Sequence, residues 1–341
     1  MQECFVPPAA FIRLSASLHV LTLTAARSIS TKFPVDDVEG LHFPHLRQLT
    51  IDRFHSLLSK CPVLESLVLS QSDDFRCLRI SSPTLRSFGV SDDLVAGWAL
   101  QRLKQVIVED APLLEMVFIR HWEYRDGISV RISGAPRLEF LGSLTYSITT
   151  LELGTTVFKE NVPVKLTTAV RTVKILVVHM SPPNIDDVIG LMKCFPCLQK
   201  LYILISQRKR PKRVQHHNPL DYLECFDLHP KELVLVNYQG EKGVVEFAKF
   251  FLLNARVLEM VELANHRQKC VSKFLAKQRR KLRLKNRASQ DAKAVMSCYA
   301  YSNDLSHSYS NDTLHISHMH DMRIHDPFDR SLCSCKRFQF L

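Results

Sequence analysis

The stretch Ser59–Gln71 reads SKCPVLESLVLSQ, and its centre is the pattern Pro-x-Leu-x-x-Leu-x-Leu. The pattern recurs, with proline at the same place, in FPHLRQLTI from Phe43, SPTLRSFGV from Ser82, APLLEMVFI from Ala111 and FPCLQKLYI from Phe195. It returns without proline at Leu18/Leu21/Leu23, Ile148/Leu151/Leu153, Val170/Val173/Ile175 and Leu258/Val261/Leu263. A chance run of apolar residues does not repeat nine times, so the pattern indicates a structural repeat.

The spacing of the copies identifies the kind of repeat. The first leucines of successive copies from Leu46 to Leu138 are 18, 21, 29 and 24 residues apart, which is close to the roughly 20–29-residue period of leucine-rich repeats. In Leu-x-Leu a short strand sends both leucines to one face, and the proline fits the turn that leads into the strand. We therefore expect Leu67, Leu69, Leu151, Leu153, Leu201 and Ile203 to lie side by side on adjacent parallel strands.

The segments between the copies complete the predicted fold. NIDDVIGLMKC, at Asn184–Cys194, places apolar residues on one helical face and acidic residues in its first turn. The sequence thus predicts an α/β fold, an irregular leucine-rich-repeat solenoid with a parallel concave sheet and short convex helices. APRLEFLGSL from Ala135 begins like a copy but is expected to break at Gly142.

The pattern changes after Ser206. Residues 207–221 are basic and polar with two prolines, which predicts an exposed loop. KELVLVNYQGEKGVVEFAKFFLLNARVLEMVEL, at Lys231–Leu263, then reads as strand, turn, helix and strand. The predicted organisation is a leucine-rich-repeat-like solenoid at 1–206, a basic loop at 207–221, an α+β cap with a basic helix at 222–290, and a poorly ordered His/Ser-rich tail at 291–341.

The chain carries a formal net charge of +11, but this charge is local. Residues 208–213 hold five basic side chains and residues 265–287 hold ten with no acidic one, so the remainder has 30 basic and 34 acidic residues. The basic positions of interest are Arg208, Lys209, Arg210, Lys212, Arg213, Arg279, Arg280 and Lys281. They indicate a nuclear-import signal or a solvated face rather than nucleic-acid binding, because no aromatic residue lies between them for base stacking.

No apolar run approaches the roughly 20 residues of a membrane helix. The N-terminus has no basic region followed by a long apolar stretch, and ten scattered cysteines do not suggest a disulfide scaffold. We expect reduced thiols and a location in the nucleus, the cytoplasm or both.

The chemistry-bearing residues do not form a catalytic pattern. Cys194-x-x-Cys197 lies inside a repeat copy and predicts buried cysteines rather than a zinc or redox site. The tail histidines His307, His315, His318, His320 and His325, with Cys298, Cys333 and Cys335 nearby, have irregular spacing that favours a disordered segment over a metal site. The sequence predicts no cofactor, no metal and no enzymatic activity.

A partner-binding surface follows from the strand alternation. Residues between the two strand leucines point to the concave side of the sheet, and these are Thr50, Val68, Phe118, Glu152, Lys174 and Tyr202. Exposed aromatic and apolar side chains among them could anchor a protein partner. The alternative is that the cap or the tail covers them.

Several phrases carry a resemblance to a known family. CPVLESLVLS, CFPCLQKLYIL, DLHPKELVLVNYQGEKGVVEFAKFFLLNARVLE and HDPFDRSLC resemble plant F-box proteins of the F-box/leucine-rich-repeat/FBD type, above all those of grasses. The resemblance covers roughly residues 15–335 and implies an FBD-like cap. It also implies the substrate-recognition part of a Skp1–cullin–F-box ubiquitin ligase, with a protein substrate as partner.

One part of the resemblance is absent. An F-box is a helical module that grips Skp1, and no Leu-Pro-x-x-Leu-type opening precedes the first repeat copy at Leu18. Skp1 binding is therefore expected only if an F-box lies upstream. The alternatives are a decoy that binds partners without a ligase and, on the basic clusters, a nucleic-acid-binding protein. The identity of the client protein and the oligomeric state do not follow from the sequence.

Overall fold

The computed structural model describes residues 19–23, 43–51, 61–70, 76–92, 103–121, 127–159, 162–165, 169–180, 183–205, 230–266, 272–282, 287–299, 324–329 and 338–339. The chain divides into two compact units, unit 1 at 1–161 and unit 2 at 162–341.

Unit 1 is built from eleven described strands that are joined by short turns and longer connections. In chain order they are β1 (Val20–Leu23), β2 (Gln48–Ile51), β3 (Ser66–Ser70), β4 (Cys77–Ser81), β5 (Ser87–Asp92), β6 (Gln105–Asp110), β7 (Met116–His121), β8 (Ile128–Ile132), β9 (Phe140–Leu144), β10 (Ile148–Leu153) and β11 (Thr156–Lys159). From β3 to β10 the chain alternates between two sheets, so each repeat contributes one strand to each.

The first sheet of unit 1 has the strand order β1–β2–β3–β5–β7–β9, and every pair is parallel. Its register places the second leucine of each repeat copy in one row across the sheet: Leu49, Leu67, Phe88, Val117 and Leu141. Leu67, Phe88 and Val117 are completely buried. Full burial of one such side chain stabilises the fold by about 1.5–3 kcal/mol, so the row accounts for the repeated leucine. The predicted strand positions of Leu67 and Leu69 are confirmed.

The second sheet of unit 1 contains the parallel strands β4, β6, β8 and β10, and β11 pairs with β10 as an antiparallel hairpin. The expected short helices are replaced here, since the described residues of 19–159 form strands and turns only. The cause is a period of two in the sequence, as β4 alternates exposed and buried side chains with Leu78 and Ile80 inside. The prediction for Leu151 and Leu153 is therefore wrong, because they lie in β10 of this second sheet.

The copy that begins at Ala135 does not break at Gly142. Strand β9 continues to Leu144, and Leu141 pairs in register with Val117. The third apolar position is taken by Ser143, which is completely buried. Because a small polar residue stands where the pattern has leucine, the sequence pattern ended before the strand did.

Unit 2 has seven described strands and three described helices. Its elements are β12 (Val162–Lys165), β13 (Ile175–Met180), α1 (Ile185–Cys194), β14 (Lys200–Ile205), β15 (Glu232–Val236), α2 (Lys242–Asn254), β16 (Met260–His266), α3 (Ser272–Leu282), β17 (Lys293–Tyr299) and β18 (Phe338–Gln339). Strands β13 to β17 are parallel neighbours in chain order, and β18 is antiparallel to β17. The α/β leucine-rich-repeat fold with a C-terminal FBD-like part is confirmed.

Helix α1 forms where its sequence predicts it. The Asn184 side chain caps the N-terminus by accepting the N–H of Asp186, and Asp186 and Asp187 complement the helix dipole in the first turn. Val188, Ile189, Leu191 and Met192 are among its buried residues. The helix then leads into the Phe-Pro turn that starts β14.

The repeat copy before β13 is shifted by three residues from its predicted position. The register of β13 aligns Leu176 with Leu201 and Val178 with Ile203, so the copy is Val173/Leu176/Val178 rather than Val170/Val173/Ile175. Val173 is completely buried whereas Val170 is only half-buried. Val173 and the apolar run from Ile175 to Val178 fit both positions, and the sequence alone does not separate them.

The phrase Asn237-Tyr238-Gln239-Gly240 forms the turn between β15 and α2. Asn237 and Gly240 both have positive φ, 61° and 72°, a region that asparagine and glycine adopt more readily than other residues. The Asn237 side chain donates to the Ile205 carbonyl at 3.0 Å. The buried Tyr238 hydroxyl donates to Gln278 of α3 at 2.9 Å, and Lys281 donates to the Gly240 carbonyl at 3.0 Å. The turn thereby holds α3 in place.

The tail predicted to be poorly ordered from residue 291 contains three described segments. These are β17, residues 324–329 and β18. Strand β17 pairs in parallel with β16 and buries Met296 beside Leu263, so the prediction does not hold for these segments. The other domain boundaries stay predictions.

Replacing Gly240 with alanine should destabilise unit 2. The positive φ disfavours a side chain, and an added Cβ lies 2.5 Å from the Gln278 side chain, so we expect a loss of about 1–3 kcal/mol in the free energy of unfolding. Gly243→Ala is the matched control, since its Cβ meets nothing within 4 Å in α2 and should stabilise by up to about 1 kcal/mol. Urea unfolding measures both, and equal effects would contradict this account.

Replacing Tyr238 with phenylalanine should leave the Gln278 side chain, 2% exposed, without its hydroxyl partner. The expected cost is about 1–3 kcal/mol, the penalty for an unsatisfied buried polar group. The double variant Tyr238→Phe/Gln278→Leu removes the unsatisfied group and should be more stable than Tyr238→Phe alone. Thermal unfolding of the single and double variants tests this, and a double variant that is less stable would refute it.

Candidate protein-interaction surface

A row of charged residues stands immediately before the strands of the first sheet of unit 1. We call Arg47, Glu65, Arg86 and Glu115 the entry row. The N–H of each of the last three donates to the carbonyl of the preceding member at 2.8 Å. Their side chains pair as Arg47–Glu65 at 3.8 Å and Arg86–Glu115 at 2.6 Å. Exposed ion pairs of this kind contribute only about 0–1 kcal/mol each to the free energy of unfolding. The ion pairs of the entry row therefore add little stability.

The entry row was not predicted from the sequence, although a signal for it was present. The residue after the first leucine of the copies reads Arg, Glu, Arg, Glu from Arg47 to Glu115. The same arrangement recurs in unit 2, where Lys231 and Glu259 form a 2.8 Å pair and the Glu259 N–H donates to the Lys231 carbonyl. Most charged side chains at these positions therefore pair with a counterpart in a neighbouring repeat.

A cavity of about 320 Å³ opens beside the entry row. His19, His45, Arg47, Glu65 and Arg86 are among its lining residues. The rings of His19 and His45 stack at 5.9 Å. Because both arginines already pair with glutamates, the cavity does not present an unbalanced cluster of charge.

Three of the six predicted partner-binding residues share one row in unit 1. The register connects Thr50, Val68, Gly89, Phe118 and Gly142 across the first sheet. Val68 is half-buried, whereas Phe118 is 2% exposed and its ring lies 6.4 Å from that of Phe140. The alignment of the three positions is as predicted, but Phe118 offers almost no surface to a partner.

Glu152 and Lys174 do not join this row. Glu152 lies in β10 of the second sheet, where it accepts hydrogen bonds from Arg131. Lys174 precedes β13, and its carbonyl accepts the N–H of Gln199, so it occupies the position equivalent to the entry row. Both departures follow from the misplaced repeat copies described above. Partner binding by any of the six residues stays a prediction.

Tyr202 lies in β14, and a distant segment of the chain covers it. We call residues 324–329 the covering segment. The Tyr202 hydroxyl donates to Oδ2 of Asp326 at 2.7 Å, and its ring lies 5.3 Å from that of Phe328. Lys200 lies on the same face of β14, and its Nζ is 2.9 Å from Oδ2 of Asp326 and 2.9 Å from Oε2 of Glu232.

The electrostatics of this cluster follow from burial and charge. Burial raises the pKa of Tyr202 well above its ordinary value, and the nearby Asp326 carboxylate raises it further. Burial alone would lower the pKa of Lys200, but the carboxylates of Asp326 and Glu232 outweigh it and the pKa rises. Lys200 is therefore a cation and Tyr202 a neutral hydrogen-bond donor at physiological pH.

The predicted basic patch is only partly within the described residues. Arg208, Lys209, Arg210, Lys212 and Arg213 lie outside them. In α3, Arg279 and Arg280 are exposed, whereas the Lys281 ammonium donates a hydrogen bond to the Gly240 carbonyl. The import signal stays a prediction.

The described residues hold no group of three or more histidine, cysteine or acidic side chains close enough to bind a metal ion. Cys194 is buried and its thiol donates to the Gly190 carbonyl at 3.2 Å, while Cys197 is half-buried. Of the tail residues, His325 is described, whereas His307, His315, His318, His320, Cys333, Cys335 and the Cys298 side chain lie outside the description. None of the helices described is long and apolar enough to span a bilayer.

Two family models match the chain. Residues 1–203 match the model described as FBD-associated F-box protein At5g56370, LRR repeats. The chain belongs to this family. Residues 218–263 match the FBD model, and this range contains the Asn237–Gly240 turn and α2. No curated protein gives a significant match.

Family membership gives a broad function. Leucine-rich-repeat and FBD modules are typically non-enzymatic interaction modules, so the family suggests a role in protein–protein interaction. The resemblance found in the sequence is confirmed, and no F-box model matches the chain.

The buried cysteines should be chemically inert in the native protein. Burial raises the pKa of Cys61 to about 11 and that of Cys194 to about 12 from the ordinary 9.0. At pH 8 the thiolate fraction of Cys194 is then roughly a thousandfold smaller than that of an ordinary thiol. We expect iodoacetamide to modify the exposed Cys77 first, as measured by mass spectrometry. In urea all three should react at similar rates, and rapid native modification of Cys194 would contradict the burial.

Proposed function

We propose that the chain is the substrate-recognition part of a Skp1–cullin–F-box ubiquitin ligase. It holds a client protein on its leucine-rich repeats and carries out no chemistry itself. Binding to Skp1 requires an F-box joined to the N-terminal side of the repeats. The client is brought to the ubiquitin-transfer machinery by this bridging alone.

One observation carries the proposal. The family that matches residues 1–203 is named for an F-box protein, and an FBD module follows at 218–263. The geometry supports it, because the side chains of the entry row are exposed at the regular spacing of neighbouring strands. A repeat scaffold with alternating faces suits recognition of a large partner surface.

The first experiment joins an F-box to Met1 and compares the fusion with the chain as it stands. Purified Skp1 should bind the fusion and not the unfused chain. With cullin, E1 and E2 present, a client that crosslinks to the repeats should be ubiquitinated only by the fusion. A fusion that binds Skp1 but never modifies any crosslinked protein would overturn the proposal.

A matched pair of substitutions locates the client. Val68→Arg places a charge in the Thr50–Val68–Phe118 row, and Val257→Arg places one on a residue that is 38% exposed after α2. We expect Val68→Arg to weaken client capture at least tenfold and Val257→Arg to leave it unchanged, with similar melting temperatures. Equal capture by both variants would remove this row from the client surface.

Two alternatives have distinct outcomes. A decoy would capture the client normally but recruit no Skp1 in any natural form of the protein. A nucleic-acid binder would lose affinity steeply as salt rises, and neutralising Arg279 and Arg280 together with Arg208–Arg213 would abolish the binding.

We further propose a location in the nucleus, the cytoplasm or both. A fluorescent fusion should leave the nucleus when Arg279, Arg280 and the basic residues of 208–213 are replaced by alanine. An unchanged distribution would reject the import signal.

A further inference from the structure

The sheet face that carries Tyr202 has the composition of an interface. Lys200 and Tyr202 of β14, Glu232 of β15 and Glu262 of β16 stand on one face, because their positions in the register differ by zero or two residues. Charged side chains are rarely buried unless they are paired. Tyrosine is enriched at the centre of protein interfaces, and polar or charged residues form their rim.

The covering segment engages this face through two side chains. Asp326 accepts the Tyr202 hydroxyl and forms an ion pair with Lys200, and Phe328 packs against the Tyr202 ring at an interplanar angle of 46°. Tyr202 is 5% exposed and Phe328 is 7% exposed. One carboxylate and one aromatic ring, two residues apart, therefore fill the site together.

The covering segment forms its own local turn. The Asp329 N–H donates to the Asp326 carbonyl at 2.9 Å, and the Phe328 N–H donates to Oδ1 of Asp326 at 3.1 Å. Asp followed by Pro is the preferred start of such a turn. The segment thus holds its carboxylate and ring in position by its own hydrogen bonds, and a short peptide of the same sequence would lose little conformational entropy on binding.

The contacts that hold the covering segment resemble those of a docked peptide. Asp326 and Tyr202 are 124 residues apart in sequence. A segment supplied by the same chain competes with a free ligand through an effective concentration that its connection to the sheet sets. A partner that offers the same two groups from a rigid turn can therefore displace it.

We propose that Lys200, Tyr202 and Glu232 form a binding site for an acidic-Pro-aromatic turn of a protein partner, and that Asp326–Phe328 occupies this site as an internal pseudo-ligand. The partner's carboxylate takes the place of Asp326 between Lys200 and Tyr202. Its aromatic ring takes the place of Phe328. The site is open to the partner only when the covering segment has left.

The charges define what the site accepts. Lys200 favours one carboxylate, while Glu232 and Glu262 on the neighbouring strands oppose a second one nearby. A turn with lysine in place of the aspartate would face Lys200 and be rejected. The raised pKa of Lys200 agrees with a cation that binds a carboxylate.

The experiment uses the full chain and a fluorescent peptide, IHDPFD, with the sequence of residues 324–329. Fluorescence anisotropy measures its binding to the wild-type chain and to Asp326→Ala/Phe328→Ala. We expect the double variant to bind the peptide at least tenfold more tightly, because its site is vacant. Adding Lys200→Met to the double variant should reduce that gain at least tenfold, and the control peptide IHAPAD should not bind.

Three results would overturn the proposal. The first is a correctly folded double variant that does not bind IHDPFD. The second is equal binding by the wild-type chain and the double variant, which would place the peptide elsewhere. The third is a wild-type dimer that the peptide converts to monomers, which would show that the covering segment docks on a second copy.

A milder variant protects the test against misfolding. Asp326→Asn keeps the shape of the side chain but removes the ion pair with Lys200, so the peptide should bind this variant more tightly than the wild type. Circular dichroism checks the fold of each variant. The proposal relies on the proposed function only in that the partner is a protein. Because the test contains no Skp1, its failure is distinct from failure of the ligase proposal.

Discussion

The structure depends on backbone hydrogen bonds that join equivalent positions of successive repeats. At the strand entries the N–H of one residue donates to the carbonyl of its counterpart in the preceding repeat, as Glu65 does to Arg47 and Glu259 to Lys231. Once this bond is made, the parallel register is set, and the leucines two positions further on must stack in one buried row. A slip of one residue would turn every leucine to the opposite face.

The same register determines which side chains stand together on the other face of each sheet. Alternate residues face away from the leucine rows, so they form rows of their own across the strands. In unit 1 such a row contains Val68 and Phe118, and in unit 2 the corresponding positions form the cluster of Lys200 and Tyr202. Rigid strands hold these side chains at fixed spacing, which suits a protein that works by binding.

The sequence was sufficient where a signal lies within one repeat. The Leu67 strand, the Asn184-capped helix and the Asn237–Gly240 turn all follow from local spacing and backbone preference. The sequence was insufficient where one pattern fits two different positions in the fold. Ile148/Leu151/Leu153 fits a strand of either sheet, and the apolar residues of 173–178 fit two registers. The contact between Tyr202 and Asp326 could not be predicted, because no local pattern relates residues so far apart in sequence.

The alternation of unit 1 between two sheets has a consequence for how such chains change length. Ser66, Ser87 and Met116 are register partners on neighbouring strands. Loss of the whole coil from Ser66 to Arg86 would bring Ser87 beside Gln48, the former neighbour of Ser66, and would leave both layers intact. Loss of half a coil would remove a strand from one layer only. Gene duplication and deletion in this architecture are therefore tolerated in complete coils, whose individual lengths are free to differ.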